Sequence, residues 1–189
     1  MSMPPRSQEY SGTLVNLLTA VNTMRSLFAD QTRWTRAAIV SIVFDLPDRA
    51  AVTARFLRTA DDFGNIFRQF YGDEVGTRAQ ILLSTYYRTI LSLVEAYKAN
   101  DMQQAGNLHT ALYAVLDQFV AFLSERNHYW DQASLQVAFY DLANLTEQEI
   151  MAMFSGDYER EIQLYDELED HALQLAEDLA YGLVRQLQV

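Results

Sequence analysis

The chain has 189 residues, half of them hydrophobic, with a net charge of −11 and no cysteine. This composition supports one domain with a full-sized core and excludes disulfides, thiol catalysis and cysteine-bound metals. An acidic surface repels phosphate backbones, so we expect no nucleic-acid partner. Apolar runs fall well short of the ~18 residues that cross a bilayer, and residues 1–10 lack a secretory signal. We therefore expect an intracellular protein, either cytoplasmic or part of a larger particle such as a virion, with no membrane span.

The charges are distributed unevenly along the chain. Residues 1–71 hold eight arginines and six acidic residues, whereas residues 147–189 hold two arginines and eleven acidic residues. Because arginine forms bidentate pairs with carboxylates, the first part can dock against the last, within one chain or between chains. An arginine-rich overall composition without such docking explains the same pattern equally well.

Apolar residues recur at three- and four-residue steps over most of the chain, which predicts an all-α fold. The expected architecture is an antiparallel four-helix bundle with additional short helices. It forms a single domain over residues 1–189, with residues 1–6 as an N-terminal tail. We expect long helices at 7–44, 73–99, 102–126 and 157–187, a second helical region at 48–71, and short helices at 132–144 and 147–154.

Turn and capping residues mark several helix boundaries. The Asp62–Gly64 segment indicates a break in the second helical region near residues 59–64. Asp101 with Gln104, and Thr146 with Glu149, have the spacing of capping boxes. These two pairs predict helix starts at residues 102 and 147.

The last helix carries the clearest pattern and the main candidate site. Its apolar stripe consists of Leu164, Leu168, Ala172, Leu175, Leu179 and Leu183. His171 lies at the edge of this stripe, with Glu167 one turn before it and Asp178 two turns after it. Because these three side chains share one flank of the helix, we treat them as ligand or metal candidates.

Two polar residues interrupt the apolar stripes of other helices. Gln31 lies between Phe28 and Thr35 in the first helix, and Tyr86 lies at the centre of the third. Buried polar groups need hydrogen-bond partners, so Gln31 and Tyr86 are expected to share a network with His171 and a nearby carboxylate. Such a network either fixes helix register, which we favour, or lines a ligand pocket. The chain lacks the Glu-x-x-His motif of bundle di-metal centres, so we expect neither a bound metal nor a cofactor.

The His128-Tyr129-Trp130 sequence forms an aromatic loop after the fourth long helix. Such a loop either plugs one end of the bundle or forms a contact surface for another protein. The chain has no glycine-rich phosphate loop and no Gly-x-Ser-x-Gly motif, so nothing in it indicates phosphoryl transfer or serine-type catalysis.

Short sequence strings spread over nearly the whole chain form a recognisable set. They include Trp34-Thr35-Arg36, Ala51-Val52-Thr53-Ala54-Arg55, Phe70-Tyr71-Gly72, Gly156-Asp157-Tyr158 and Asp170-His171. Together they resemble a family of small all-helical bacterial proteins of uncharacterised function, which sometimes carry an acetylglutamate-kinase label. The chain gives no support to kinase chemistry, because it has neither a phosphate-binding loop nor a strand pattern.

The resemblance also bears on the candidate site. Members of the family carry histidines on several facing helices, which implies a metal or ligand site. The matching positions of this chain hold Gln31, Tyr86 and Leu142, and only His171 is retained. The resemblance therefore implies that this chain has lost any such metal site and has a structural or interaction role.

Three functional hypotheses follow from these patterns. The leading one is a non-enzymatic helical bundle that contacts other proteins or copies of itself, as a subunit of a complex or virion. The alternative is a bundle that binds a metal or small ligand around His171, Gln31 and Tyr86, and it requires an enclosed cavity between the long helices. The third is a bundle enzyme that uses His171 with Glu167 or Asp178.

Overall fold

The computed structural model describes the backbone of residues 6–187 and the side chains of residues 17–187. Its helices are α1 (Arg6–Val43), α2 (Arg49–Tyr71), α3 (Asp73–Lys98), α4 (Met102–Arg126), α5 (Gln132–Ser155) and α6 (Tyr158–Leu187). No strand occurs among these described residues, which confirms the all-α prediction. Residues 1–5 of the predicted tail lie outside the described residues, and Arg6 already belongs to α1.

The six helices form a closed ring. Each helix packs against its neighbours in sequence, α6 packs against α1, and α1 also contacts α3 and α5. The pairing of α1 with α6 is antiparallel, because Arg25 contacts Glu177 near one end and Arg36 contacts Glu161 near the other. These two ion pairs confirm that the arginine-bearing part of the chain docks against its acidic last part. No described helix is both long enough and apolar enough to cross a membrane.

The predicted break in α2 is wrong, since the helix continues from Arg49 to Tyr71. Gly64 lets α2 and α3 approach closely instead of interrupting the helix. A Cβ at Gly64 would lie 2.9 Å from Cβ of Gln80, and a Cβ at Gly76 would lie 2.6 Å from the Gly64 carbonyl oxygen. The two glycines face each other where the helix backbones meet, so neither position has room for a side chain.

The two short helices predicted at 132–144 and 147–154 are one continuous helix, α5. The Thr146 hydroxyl donates to the Leu142 carbonyl at 2.8 Å, one turn back in the same helix, so it does not cap a new one. The other predicted cap is confirmed, because the Asp101 carboxylate accepts a hydrogen bond from the Gln104 amide at 2.9 Å. The bundle thus has six long helices where the sequence indicated four long ones and several short ones.

One aromatic-rich core connects all six helices. The predicted stripe of α6 is buried along its whole length, as each of its six members is 5% exposed or less. A smaller apolar cluster joins α1, α3 and α5 at one end of the bundle through Ile39, Ile42, Val94, Ile150 and Met153. Burial of these stripes is what orders the helices, since most helical stability in proteins comes from tertiary packing of the apolar face.

Candidate functional site

The structure places His171, Glu167 and Asp178 on the solvent side of α6, where all three are exposed. Glu167 accepts a hydrogen bond from Arg160 at 3.4 Å, and Asp178 accepts one from Gln174 at 3.3 Å. The three candidates do share one flank of the helix, as predicted. That flank lies outside the buried face, so the predicted network joining His171 to Gln31 and Tyr86 does not form.

Gln31 and Tyr86 do come together, at a cavity of about 40 Å³ in the centre of the ring. Every helix contributes to its lining, which comprises Phe28, Gln31, Phe63, Phe67, Leu83, Tyr86, Tyr87, Leu116, Phe119, Phe139, Leu142, Thr146, Leu168 and Leu179. Burial raises the pKa of Tyr86, so its hydroxyl remains a neutral hydrogen-bonding group. No group of three or more acidic or histidine side chains able to hold a metal ion occurs among the described residues.

The aromatic loop after α4 has one buried and two exposed aromatic side chains. Trp130 is buried, and its indole Nε1 donates to the Leu179 carbonyl oxygen of α6 at 3.2 Å. The indole lies directly on Gly182, where a Cβ would overlap the ring. His128 and Tyr129 are exposed on the outside of the same loop. Trp130 therefore closes the bundle here, while its two neighbours face solvent.

A partly buried hydrogen-bond network holds this loop in place. The side chain of Asn127 accepts a bond from the Tyr129 amide at 3.0 Å and donates one to the Tyr71 hydroxyl at 3.1 Å. The Tyr71 hydroxyl in turn donates to Gln186 of α6 at 2.7 Å. Because desolvation raises the pKa of Tyr71 to about 12, the phenol stays protonated and can keep donating. The network ties the end of α4 to α2 and α6, so the loop has one defined conformation.

A surface depression of about 420 Å³ lies beside the loop, between the start of α5 and the end of α6. We call it the aromatic groove, and its residues are Tyr129, Trp130, Asp131, Ser134, Leu135, Ala138, Leu175, Asp178, Tyr181, Gly182 and Arg185. Tyr129 and Tyr181 remain 37% and 46% exposed. The groove thus offers solvent a mixed polar and apolar surface with two tyrosines on it.

The groove carries more negative than positive charge. The Asp131 carboxylate accepts bonds from the Ser134 amide (2.8 Å) and hydroxyl (2.7 Å), which lower its pKa and keep it ionised. Across the groove, Asp178 is the second acidic group. Neither aspartate forms an ion pair with any described residue. The one cation, Arg185, lies over the Tyr129 ring at 5.9 Å.

A charged cluster that was not predicted from the sequence lies at the other end of the α5–α6 pair, where the half-buried Arg36 meets Glu149 and Glu161. Glu149 and Glu161 are 1% and 3% exposed, and each lies on the buried face of its helix. The available signal was their spacing. Glu161 lies three residues before Leu164 of the α6 stripe, and Glu149 lies three and four residues before the buried Ala152 and Met153.

Comparisons with protein-family models, with curated proteins and with solved structures found no match to this chain. The resemblance to the family of small helical bacterial proteins therefore stays a prediction. The class that the structure does define is an all-α helical bundle with a closed ring of six helices.

Proposed function

We propose that this protein is a non-enzymatic helical bundle that binds another protein through the aromatic groove. The observation that carries the proposal is the pair of exposed tyrosines, Tyr129 and Tyr181, on a groove whose backbone is fixed by the buried Trp130. Tyrosine is enriched in binding hot spots because it combines a large apolar surface with a polar end. A rigid groove also loses little conformational entropy on binding, which favours affinity.

The charge of the groove points to the chemistry of the partner. Asp131 and Asp178 lie in the groove without cationic partners among the described residues, and residues 147–189 carry a net charge of −9. An amphipathic helical segment with apolar side chains on one face and lysine or arginine beside them complements this surface. A basic amphipathic segment of another protein is therefore the expected occupant.

The test is binding of a short leucine–lysine amphipathic peptide, measured by fluorescence anisotropy. We expect the Asp178→Arg variant to bind it roughly tenfold more weakly, since a reversed charge at the groove removes an attraction and adds a repulsion. Replacing lysine by glutamate in the peptide is expected to abolish binding to the parent protein.

The matched control is Asp166→Arg, which makes the same change in net charge on the exposed surface of α6 but outside the groove. If both variants weaken binding equally, the peptide responds only to overall charge, and the groove is not the binding site. Equal binding of the lysine and glutamate peptides contradicts the proposed partner chemistry.

A second candidate function, binding of a small ligand inside the ring, rests on the central cavity with Gln31 and Tyr86. Its volume of about 40 Å³ is well below the ~150 Å³ that admits benzene. Only a few water molecules or a ligand of a few atoms fit this space. This candidate is tested by the melting temperatures of the parent and of Leu142→Phe, a change in the cavity lining, with and without small neutral ligands. It predicts that the ligand stabilises the parent alone.

A further inference from the structure

Three helices bring two carboxyl groups and one guanidinium together inside the bundle. Arg36 of α1 donates to both oxygens of Glu161 of α6, from Nε at 2.7 Å and from Nη2 at 3.0 Å. Glu149 of α5 lies 3.6 Å from Arg36 Nε, too far for a hydrogen bond, and its buried Oε1 has no hydrogen-bond partner among the described residues. Arg36 is therefore committed to Glu161, and Glu149 lacks a cation of its own.

The surroundings of Glu149 give little compensation for a second negative charge. Next to it on α5, Ile150 belongs to the apolar cluster that Val94 of α3 also joins. From α6, Glu161 faces it directly and Tyr165 lies nearby, with the Arg36 guanidinium 5.2 Å from the Tyr165 ring centroid. On α3, Lys98 is engaged with Asp45 and with the Ile42 carbonyl oxygen.

One guanidinium balances one carboxylate, so the other carboxyl group avoids an uncompensated buried charge only by holding a proton. Glu149 is the group without a bidentate partner, although its Oε1 and the Oε1 of Glu161 lie 3.6 and 2.7 Å from the same Arg36 Nε. Two ionised carboxylates this close to one guanidinium would repel each other, which favours a proton on Glu149.

We propose that Glu149 and Glu161 bind one proton between them, and that release of this proton loosens the packing of α5 against α1 and α6. The structure thus contains a proton-binding site, separate from the aromatic groove, at the turn between α5 and α6. After release, Glu149 carries a buried charge that only hydration can stabilise, so the end of α5 and the start of α6 open more often.

The first test follows the side-chain carboxyl carbon of Glu149 by NMR during a pH titration of the intact protein. We expect its chemical shift to report protonation well into the neutral range, where an ordinary glutamate is fully ionised. A midpoint in the ordinary range of a glutamate overturns the proposal.

The second test compares amide hydrogen exchange of parent and Glu149→Gln protein, because glutamine keeps the hydrogen-bond donor but cannot ionise. Amides in the last turns of α5 and the first turns of α6 are expected to exchange about tenfold faster in the parent at about pH 9. At about pH 5 the two proteins are expected to agree within roughly twofold.

The control is Glu125→Gln, at an exposed glutamate of α4, which is expected to match the parent at both pH values. If the ratio of exchange rates between the parent and Glu149→Gln is the same at both pH values, Glu149 acts through packing alone. That result overturns the proposal. If Glu149→Gln fails to fold, the NMR titration of the parent alone decides.

Discussion

Replacing Gly182 by alanine tests how the aromatic groove is held in shape. A Cβ at this position would overlap Nε1 and Cδ1 of Trp130 and lie 3.0 Å from Cε2. Movement of the indole is restricted, because it also packs against Phe67 and Tyr71 at centroid distances of 6.2 and 6.1 Å. Gly182→Ala must therefore displace Trp130 or separate α6 from the loop.

The magnitude follows from three contributions. Forcing extra volume into a packed site costs about 1–3 kcal/mol, and losing the bond from Trp130 to the Leu179 carbonyl costs about 1 kcal/mol. The higher helix propensity of alanine offsets about 1 kcal/mol. We expect a net loss of about 2 kcal/mol in the free energy of unfolding. Gly106→Ala is the matched control, because a Cβ there meets nothing within 4 Å, and it is expected to stabilise by about 0.5–1 kcal/mol.

The assay is urea denaturation followed by tryptophan fluorescence in a Trp34→Phe background, in which Trp130 is the only tryptophan. The displaced indole is also expected to show altered emission in the folded state of Gly182→Ala. If both glycine variants stabilise the protein and Trp130 emission is unchanged, Trp130 does not pack on Gly182 as described.

Three further predictions concern charged and capping residues. Raising the pH from about 4.5 to about 8 is expected to lower the free energy of unfolding by up to about 4 kcal/mol, because burial raises the pKa of folded Glu149 to about 8 while the unfolded chain releases this proton earlier. Urea midpoints measured across this range should fall with pH in the parent and not in Glu149→Gln. The same pH dependence in both proteins would refute the prediction. Glu161→Gln leaves Arg36 without its bidentate partner and should cost up to about 3 kcal/mol near pH 5 and less at higher pH, because Glu149 then ionises beside Arg36; a neutral effect near pH 5 contradicts the pairing. Asp101→Ala removes the cap on the Gln104 amide and should lower stability by about 1 kcal/mol, so an unchanged melting temperature argues against the cap.

Hydrophobic periodicity was sufficient to predict the all-α fold and the buried stripe of α6. The stripe of α6 is buried as predicted. A three- and four-residue repeat places the leucines on one face of the helix, and that face must pack against other helices to be shielded from water. Periodicity does not fix the width of the buried face, however. His171 lies next to the buried Ala172, yet it is exposed, since the neighbouring helices cover only the side of α6 that carries Leu168 and Leu175.

Local sequence patterns gave wrong helix boundaries where contacts with other helices determined the structure. Thr146 and Glu149 have capping-box spacing, but burial of Glu149 against Arg36 and Glu161 continues the helix through them. Gly64 suggested a helix break, although its actual role depends on Gly76 of the next helix, which no local window contains. Contacts between helices therefore decided each of these cases.

The most direct test of the proposed function is to map the leucine–lysine peptide on the protein by NMR chemical-shift perturbation. The account predicts that the largest shifts fall on Tyr129, Trp130 and Tyr181 and on the neighbouring amides of α5 and α6. Tyr158, an exposed tyrosine outside the groove, is expected to remain unperturbed. Shifts spread evenly over the acidic surface of α6, or centred on Tyr158, would contradict binding in the aromatic groove.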